Sequence, residues 1–305
     1  MTNRIFLDRH GDLRSGWRIA LFLLLFGILS TCLLGLLRFA NVYVAMADRF
    51  ALLISGLAAS ALMTRYVNHK QFTAIGLTMH PAMFKELGVG CLLGFLMMTG
   101  IVIIGMAGGY LAFASRGLGY GGAAAVTAES LVSCAAGALG EEVLFRGYVF
   151  QTLVQGVTFL PATLLSSAFF ATAHLGNPSV TVFSLMNVAL AGVLFAFAYM
   201  KTRSLWLPFG IHFTWNFSQS TLYGLPTSGF FIPEKTLILV SQEGPDWILG
   251  GNFGPEGGIL ATAALIIGIW YILKAPYLSV PEGIITLDSV EDLLVSAGAA
   301  GKAKT

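Results

Sequence analysis

From Ile19 to Leu37 the chain carries no charged residue. An uncharged apolar run of that length matches the ~20 residues a helix needs to cross the hydrocarbon of a bilayer. Similar runs recur along the chain and leave little choice of architecture. Inside lipid every backbone N–H and C=O must be bonded internally, which helices achieve and open strands do not. Hydropathy predicts eight spans, over 17–37, 50–67, 87–114, 125–146 continuing to 155, 159–175, 179–200, 204–223 and 257–274. Composition agrees, with 56% hydrophobic residues and only 10% Asp, Glu, Lys and Arg, less than half the charged share of an ordinary soluble domain. The expected fold class is all-α: a polytopic integral membrane protein with an intramembrane polar cavity. A formal net charge of +2 gives no reason to expect nucleic acid as a partner; the partner that composition points to is the lipid bilayer.

Arg4, Arg9, Arg14 and Arg18 precede the first run in the manner of a secretory signal. The run is too long for a signal h-region, lacks a small-x-small cleavage site and is followed by further spans, so it reads as a retained first helix. With the N-terminus inside, inner segments carry Arg4, Arg9, Arg14, Arg18, Arg65, Lys70, Lys85, Lys201, Arg203, Lys274, Lys302 and Lys304, and outer segments only Arg38, Arg49, Arg116 and Lys235. This bias predicts both termini in the cytoplasm, in a cell (inner) membrane. Four regions follow: an arm and three helices over 1–124, a core over 125–223, an outer loop and last helix over 224–274, and a cytoplasmic tail over 275–305. The outer loop, with Pro226, Pro233, Pro255 and the run GGNFGPEGG, reads as a capping loop without chemistry. The tail, with Glu282, Asp288, Glu291 and Asp292, reads as a short soluble appendage. Cys32, Cys91 and Cys134 sit in apolar runs without C-x-x-C spacing and read as buried thiols.

Glu141, Glu142 and Arg146 interrupt the apolar segment LVSCAAGALGEEVLFRGYVFQTLVQ, His174 lies in SSAFFATAHLGNP, and His212 and Asn216 lie in LWLPFGIHFTWNF. Ionisable groups at membrane depth cost about 2.5–3.5 kcal/mol each on insertion scales, and they face a protein interior or a water-filled cavity. Adjacent helical residues point about 100° apart, so Glu141 and Glu142 face different ways. Glu142 and Arg146 at i, i+4 share a face and should pair, leaving Glu141 free. By the same rule His212 and Asn216 share a face, and Phe170 stacks one turn before His174.

Depth brings them together. Glu141 precedes Val157, in the link between the fourth and fifth spans, by about as many residues as His174 follows it, so on antiparallel helices both stand roughly 25 Å from the hairpin tip. His212 and Asn216 lie roughly 14–20 Å beyond Arg203 on the same side. A carboxylate and an imidazole facing one cavity can hold a water and take its proton, while a second imidazole and an amide can donate to a developing oxyanion. No G-x-S-x-G elbow or H-E-x-x-H motif is present, although Glu141, His174 and His212 could supply three ligands to zinc.

EEVLFR at 141–146, FATAH at 170–174 and HFTWN at 212–216 resemble, in order, the E-E-x-x-x-R, F-x-x-x-H and H-x-x-x-N motifs of the CPBP family, the CAAX-type intramembrane endopeptidases and their bacterial Abi-like relatives. The resemblance implies an eight-helix membrane fold with a cavity open toward the cytoplasm and peptide hydrolase activity on a membrane-embedded or membrane-associated protein or peptide substrate. It assigns Glu141 and His174 to activating water, His212 and Asn216 to the oxyanion, and Glu142 and Arg146 to support. It is compatible with a metalloprotease or with a glutamate base working without metal. Two readings of other classes use the same residues: a proton-coupled transporter with Glu and His at the midplane, and a non-catalytic relative that binds membrane partners or confers immunity to a toxic peptide.

Overall fold

The computed structural model of the chain describes residues 3–8, 11–40 and 46–287. Asp288, Glu291, Asp292, Lys302, Lys304 and Arg9 lie outside the described residues. Eight longer helices dominate: α1 (Ser15–Phe39), α2 (Ala47–Tyr66), α3 (Met83–Ala107), α4 (Tyr120–Val157), α5 (Phe159–Thr172), α6 (Val182–Thr202), α7 (Trp206–Phe217) and α8 (Ile259–Lys274). Each covers one of the eight apolar stretches. Five, namely α1 to α4 and α6, are long and apolar enough to cross a membrane, whereas α5, α7 and α8 are shorter. The all-α class holds, and large apolar side chains point outward as well as inward. Leu24, Leu36, Leu92, Ile103, Leu164, Ile267 and Trp270 are exposed, which in water would be an aggregating surface and in lipid is the expected one.

Three expectations need correction. The third span does not run to 114: α3 stops at Ala107, and β1 (Leu111–Ser115) pairs antiparallel with β2 (Ile238–Gln242), with Leu111 opposite Gln242 and Ser115 opposite Ile238. Gly109, at φ +73°, turns the chain between them, a conformation that favours glycine. Of the cysteines Cys134 is buried, but Cys32 is exposed on the outward face of α1. The start of the tail is not an appendage. Ala275, Leu278 and Leu287 are buried, Lys70 Nζ donates to the carbonyls of Thr286 and Leu287 at 3.0 and 2.9 Å, and the Leu287 N–H donates to Gln151 Oε1 at 2.7 Å.

Small residues decide how closely the site-bearing helices approach. Gly90 and Gly94 of α3 face Gly210 and Ile211 of α7, and a Cβ on either would run into the Leu207 or Ile211 carbonyl oxygen. A Cβ on Gly210 would lie 2.7 Å from the Leu87 oxygen. Such small-xxx-small spacing lets helix backbones touch in a membrane, and Thr214 Oγ1 adds an interhelical bond to the Cys91 carbonyl at 2.8 Å. The face of α7 carrying His212 and Asn216 is thereby turned away from α3 and toward α4.

Candidate active site

Helix α4 changes winding where its charges begin. Val143–Phe150 is a π-helical segment, and every one of its residues is buried. A second π segment, Ser218–Leu222, continues α7 just after Asn216. Wide turns of this kind are rare and concentrate at functional sites.

Arg146 is fully buried, with NH1 donating to Glu142 Oε1 at 3.2 Å and NH2 to the Gly192 carbonyl at 3.3 Å. Its guanidinium lies over the rings of Phe170 and Phe195, 4.4 and 4.9 Å from their centroids, a desolvated cation–π arrangement. Glu142 Oε1 also accepts from His212 Nδ1 at 2.9 Å. Since an ionised carboxylate only accepts, Nδ1 carries the proton of that bond. The opposite nitrogen, Nε2, stands 3.8 Å from Glu141 Oε2. Phe195 stacks on the imidazole at 4.8 Å between centroids and 17° between planes. His212 is therefore fixed by one carboxylate, one ring and a second carboxylate.

His174 occupies the turn that closes α5, where its N–H donates to the Ala171 carbonyl at 3.0 Å. Its Nδ1 is 2.8 Å from the Phe170 carbonyl oxygen. A carbonyl is an acceptor, so Nδ1 is the donor and Nε2 is free for other work. The Phe170 ring lies 4.9 Å from the His174 ring and 6.3 Å from that of His212. The ring contact expected one turn before His174 is present, tilted at 59° rather than stacked, and the same ring serves Arg146 and both imidazoles.

Glu141, Phe170, His174, His212 and Asn216 all line one cavity of about 540 Å³. Glu142 and Arg146 lie behind that wall, Glu142 touching it through His212 and Arg146 through Phe170 and Phe195. Glu141 retains 28% side-chain exposure against none for Glu142, so the two adjacent carboxylates do face different surroundings, as helical geometry requires.

Two features were not legible beforehand. The link from Glu142 to His212 joins residues 70 apart, and no local spacing encodes it. The second is Glu256, in the GGNFGPEGG run expected to be inert. It lines the same cavity, accepts from the Ser228 hydroxyl at 2.9 Å and from the Ser228 backbone N–H, and interacts electrostatically with His174. Burial pushes its carboxyl above the usual carboxylate range, opposed by the Ser228 bonds and by His174. The loop is built rather than slack. Asn187 Nδ2 holds the carbonyls of Glu256 and Gly258 at 2.8 and 2.9 Å, and Gly254, at φ +96°, leaves no room for a Cβ against the Pro226 carbonyl. An acid inside a glycine run was the available signal.

For zinc, the donor set does not assemble. Among the described residues no group of three His, Cys, Asp or Glu side chains converges as metal ligands would. Of the expected trio, His212 has Nδ1 on Glu142 and Nε2 3.8 Å from Glu141, a carboxylate-backed imidazole of the kind that can ligate zinc, but His174 does not join them in one ligand group.

Helices that are apolar on both faces, around a buried Glu–Arg–His network beside one cavity, define an all-α membrane protein with a buried polar site. Comparison with known proteins narrows this. Residues 123–218 match the family model described as type II CAAX prenyl endopeptidase Rce1-like, a match that spans all three motifs and supports their resemblance to the CPBP family. The chain is also similar to the Bacillus subtilis (strain 168) protein named "Putative membrane peptidase YdiL", at 32% identity over 129 residues, 42% of this chain and 48% of that one. The chain thus spans about half the length of the curated relative it matches. No solved structure gives a significant match.

Proposed function

We propose that the protein is an intramembrane endopeptidase that hydrolyses a peptide bond with a glutamate-activated water. The observation that carries this reading is the grouping of Glu141, His174, His212 and Asn216 around one cavity, with the buried Glu142–Arg146 pair behind it. The family match and the name of the relative point the same way.

In this reading a water bound between Glu141 and His174 gives its proton to the Glu141 carboxylate as its oxygen attacks the peptide carbonyl carbon. The carbonyl π electrons move onto oxygen, and the oxyanion is met by the Asn216 amide and by His212 Nε2. To donate there His212 must carry both ring protons, and Glu142 on Nδ1 with Glu141 beside Nε2 are the counter-charges for that state. Collapse of the tetrahedral intermediate breaks the C–N bond, and the proton held by Glu141, passed directly or through His174 Nε2, goes to the leaving amine. Phe195, stacked on His212, and Phe170, tilted against His174, hold the two imidazoles in place. The membrane-associated substrate follows from the site's depth.

Cleavage of a candidate peptide by the purified protein in detergent, and its loss in Glu141→Ala, tests the reading. A variant that still cleaves at the wild-type rate would remove Glu141 from the chemistry. Transport of an ion or solute without any peptide cleavage would favour the transporter reading.

A further inference from the structure

The cavity lies in one half of the bundle, and it is the half away from the termini. Its walls are the first turns of α2, the first two thirds of α4, the end of α5, the first half of α6 and the second half of α7. Its roof is the segment from Leu225 to Lys235, with Ser228 and Glu256 beneath. At the opposite end Ser15 packs on Gly156, Lys85 Nζ donates to the Tyr277 carbonyl at 2.8 Å, and Lys70 and Gln151 hold the chain at 286–287. A cavity open toward the cytoplasm and termini in the cytoplasm are therefore incompatible expectations for this chain.

Charge decides between them. The terminal end carries Arg14, Arg18, Arg65, Lys70, Lys85, Lys201, Arg203 and Lys274, and the terminal segments add Arg4, Arg9, Lys302 and Lys304 by sequence. The cavity end carries Arg38, Arg49, Arg116 and Lys235. Leaving out Lys302 and Lys304, which lie far from any span, the balance is still ten to four. Moreover, the cations at the cavity end have local work. Arg49 and Lys235 line the cavity, Lys235 pairs with Glu129 at 3.0 Å, and Arg116 NH1 bonds the carbonyls of Glu234 and Thr236 at 2.9 and 2.8 Å. Lys and Arg in short loops are retained on the cytoplasmic side, so the end rich in them is the inner one.

We infer that the cavity opens on the non-cytoplasmic face of the membrane, and that its substrate is a peptide segment presented from that face, not a lipidated cytoplasmic C-terminus. The substrate half of this rests on the peptidase reading; the sidedness does not. The roof suits such a substrate. Phe230, Phe231 and Ile232 are exposed large apolar side chains beside Lys235 and Arg49, an apolar lip with basic residues that a membrane-proximal peptide would pass.

The test uses the full-length protein with Cys32, Cys91 and Cys134 replaced by serine and one new cysteine at an exposed acidic position, Glu234→Cys at the roof or Glu282→Cys beyond α8. In sealed right-side-out membrane vesicles a membrane-impermeant maleimide should label Glu234→Cys at once and Glu282→Cys only after permeabilisation. The reverse pattern overturns the proposal, and labelling of both sites before permeabilisation in vesicles proven tight also does. In parallel, an impermeant fluorogenic peptide cleaved by the detergent-solubilised protein should be cut by intact right-side-out vesicles, and by inside-out vesicles only after permeabilisation. Cleavage confined to intact inside-out vesicles overturns the substrate assignment. Labelling as expected, with no cleavage of any peptide even in detergent, overturns the peptidase reading and the substrate half with it, while the sidedness stands on the labelling.

Discussion

Glu142 Oε1 accepts a hydrogen bond from His212 Nδ1 at 2.9 Å while holding Arg146 at 3.2 Å, so one oxygen of one buried carboxylate ties the core helix α4 to the helix that carries His212 and Asn216. Its neighbour Glu141 points instead into the cavity. Two carboxylates adjacent in sequence thus face separate surroundings: one fixes the wall, and the other lines the cavity, where the proposed mechanism has it activate water.

That separation predicts different phenotypes. Glu141→Gln should abolish turnover and leave the melting temperature in detergent near that of the wild type. Glu142→Gln should lose activity and melt lower as well, because it strands the buried Arg146, and breaking a buried ion pair costs about 3–5 kcal/mol. Equal melting temperatures for the two variants, with equal activities, would contradict the assignment.

Asn216 lines the cavity one turn beyond His212. Removing a preorganised oxyanion donor typically lowers kcat about 100- to 1000-fold with little effect on ground-state binding. Asn216→Ala should therefore reduce kcat and spare KM on any peptide the wild type cleaves. A raised KM at unchanged kcat would move Asn216 to substrate binding.

Because Glu141, His174 and His212 do not converge as a ligand set, prolonged treatment with a strong chelator should leave turnover unchanged, and elemental analysis of active protein should find well below one zinc per chain. Stoichiometric zinc that falls in parallel with activity on mutating any of the three would restore the metallopeptidase mechanism.

Close packing of α3 on α7 yields a prediction remote from the chemistry. Gly94→Ala places a Cβ against the Ile211 carbonyl oxygen, which is backbone and cannot swing aside. Overpacking of this kind costs about 1–3 kcal/mol, and the displacement would pass directly to His212. The variant should melt lower and lose kcat, whereas Gly88→Ala on the same helix, where a Cβ meets nothing, should do neither.

The sequence by itself determined the class and the parts. Runs such as Ile19–Leu37 admit only membrane helices, because lipid offers the backbone no hydrogen-bond partner, and each of the eight apolar stretches holds a helix, the end of the third passing into β1. Helical periodicity determined the pairing of Glu142 with Arg146 and of Phe170 with His174, since residues four apart share a face whatever the rest of the chain does. Only the tertiary structure decided what lies between helices. The bond from Glu142 to His212, the stacking of Phe195 on that ring, the entry of Glu256 into the cavity and the pairing of β1 with β2 join residues far apart in the chain, and their geometry depends on how closely glycines let the backbones approach. The direction in which the cavity faces required both. The proposed sidedness takes the inner end of the bundle from charge in the sequence, but the half in which Glu141 and His174 meet is set by how α4 and α5 pack beneath the loop from Leu225 to Lys235.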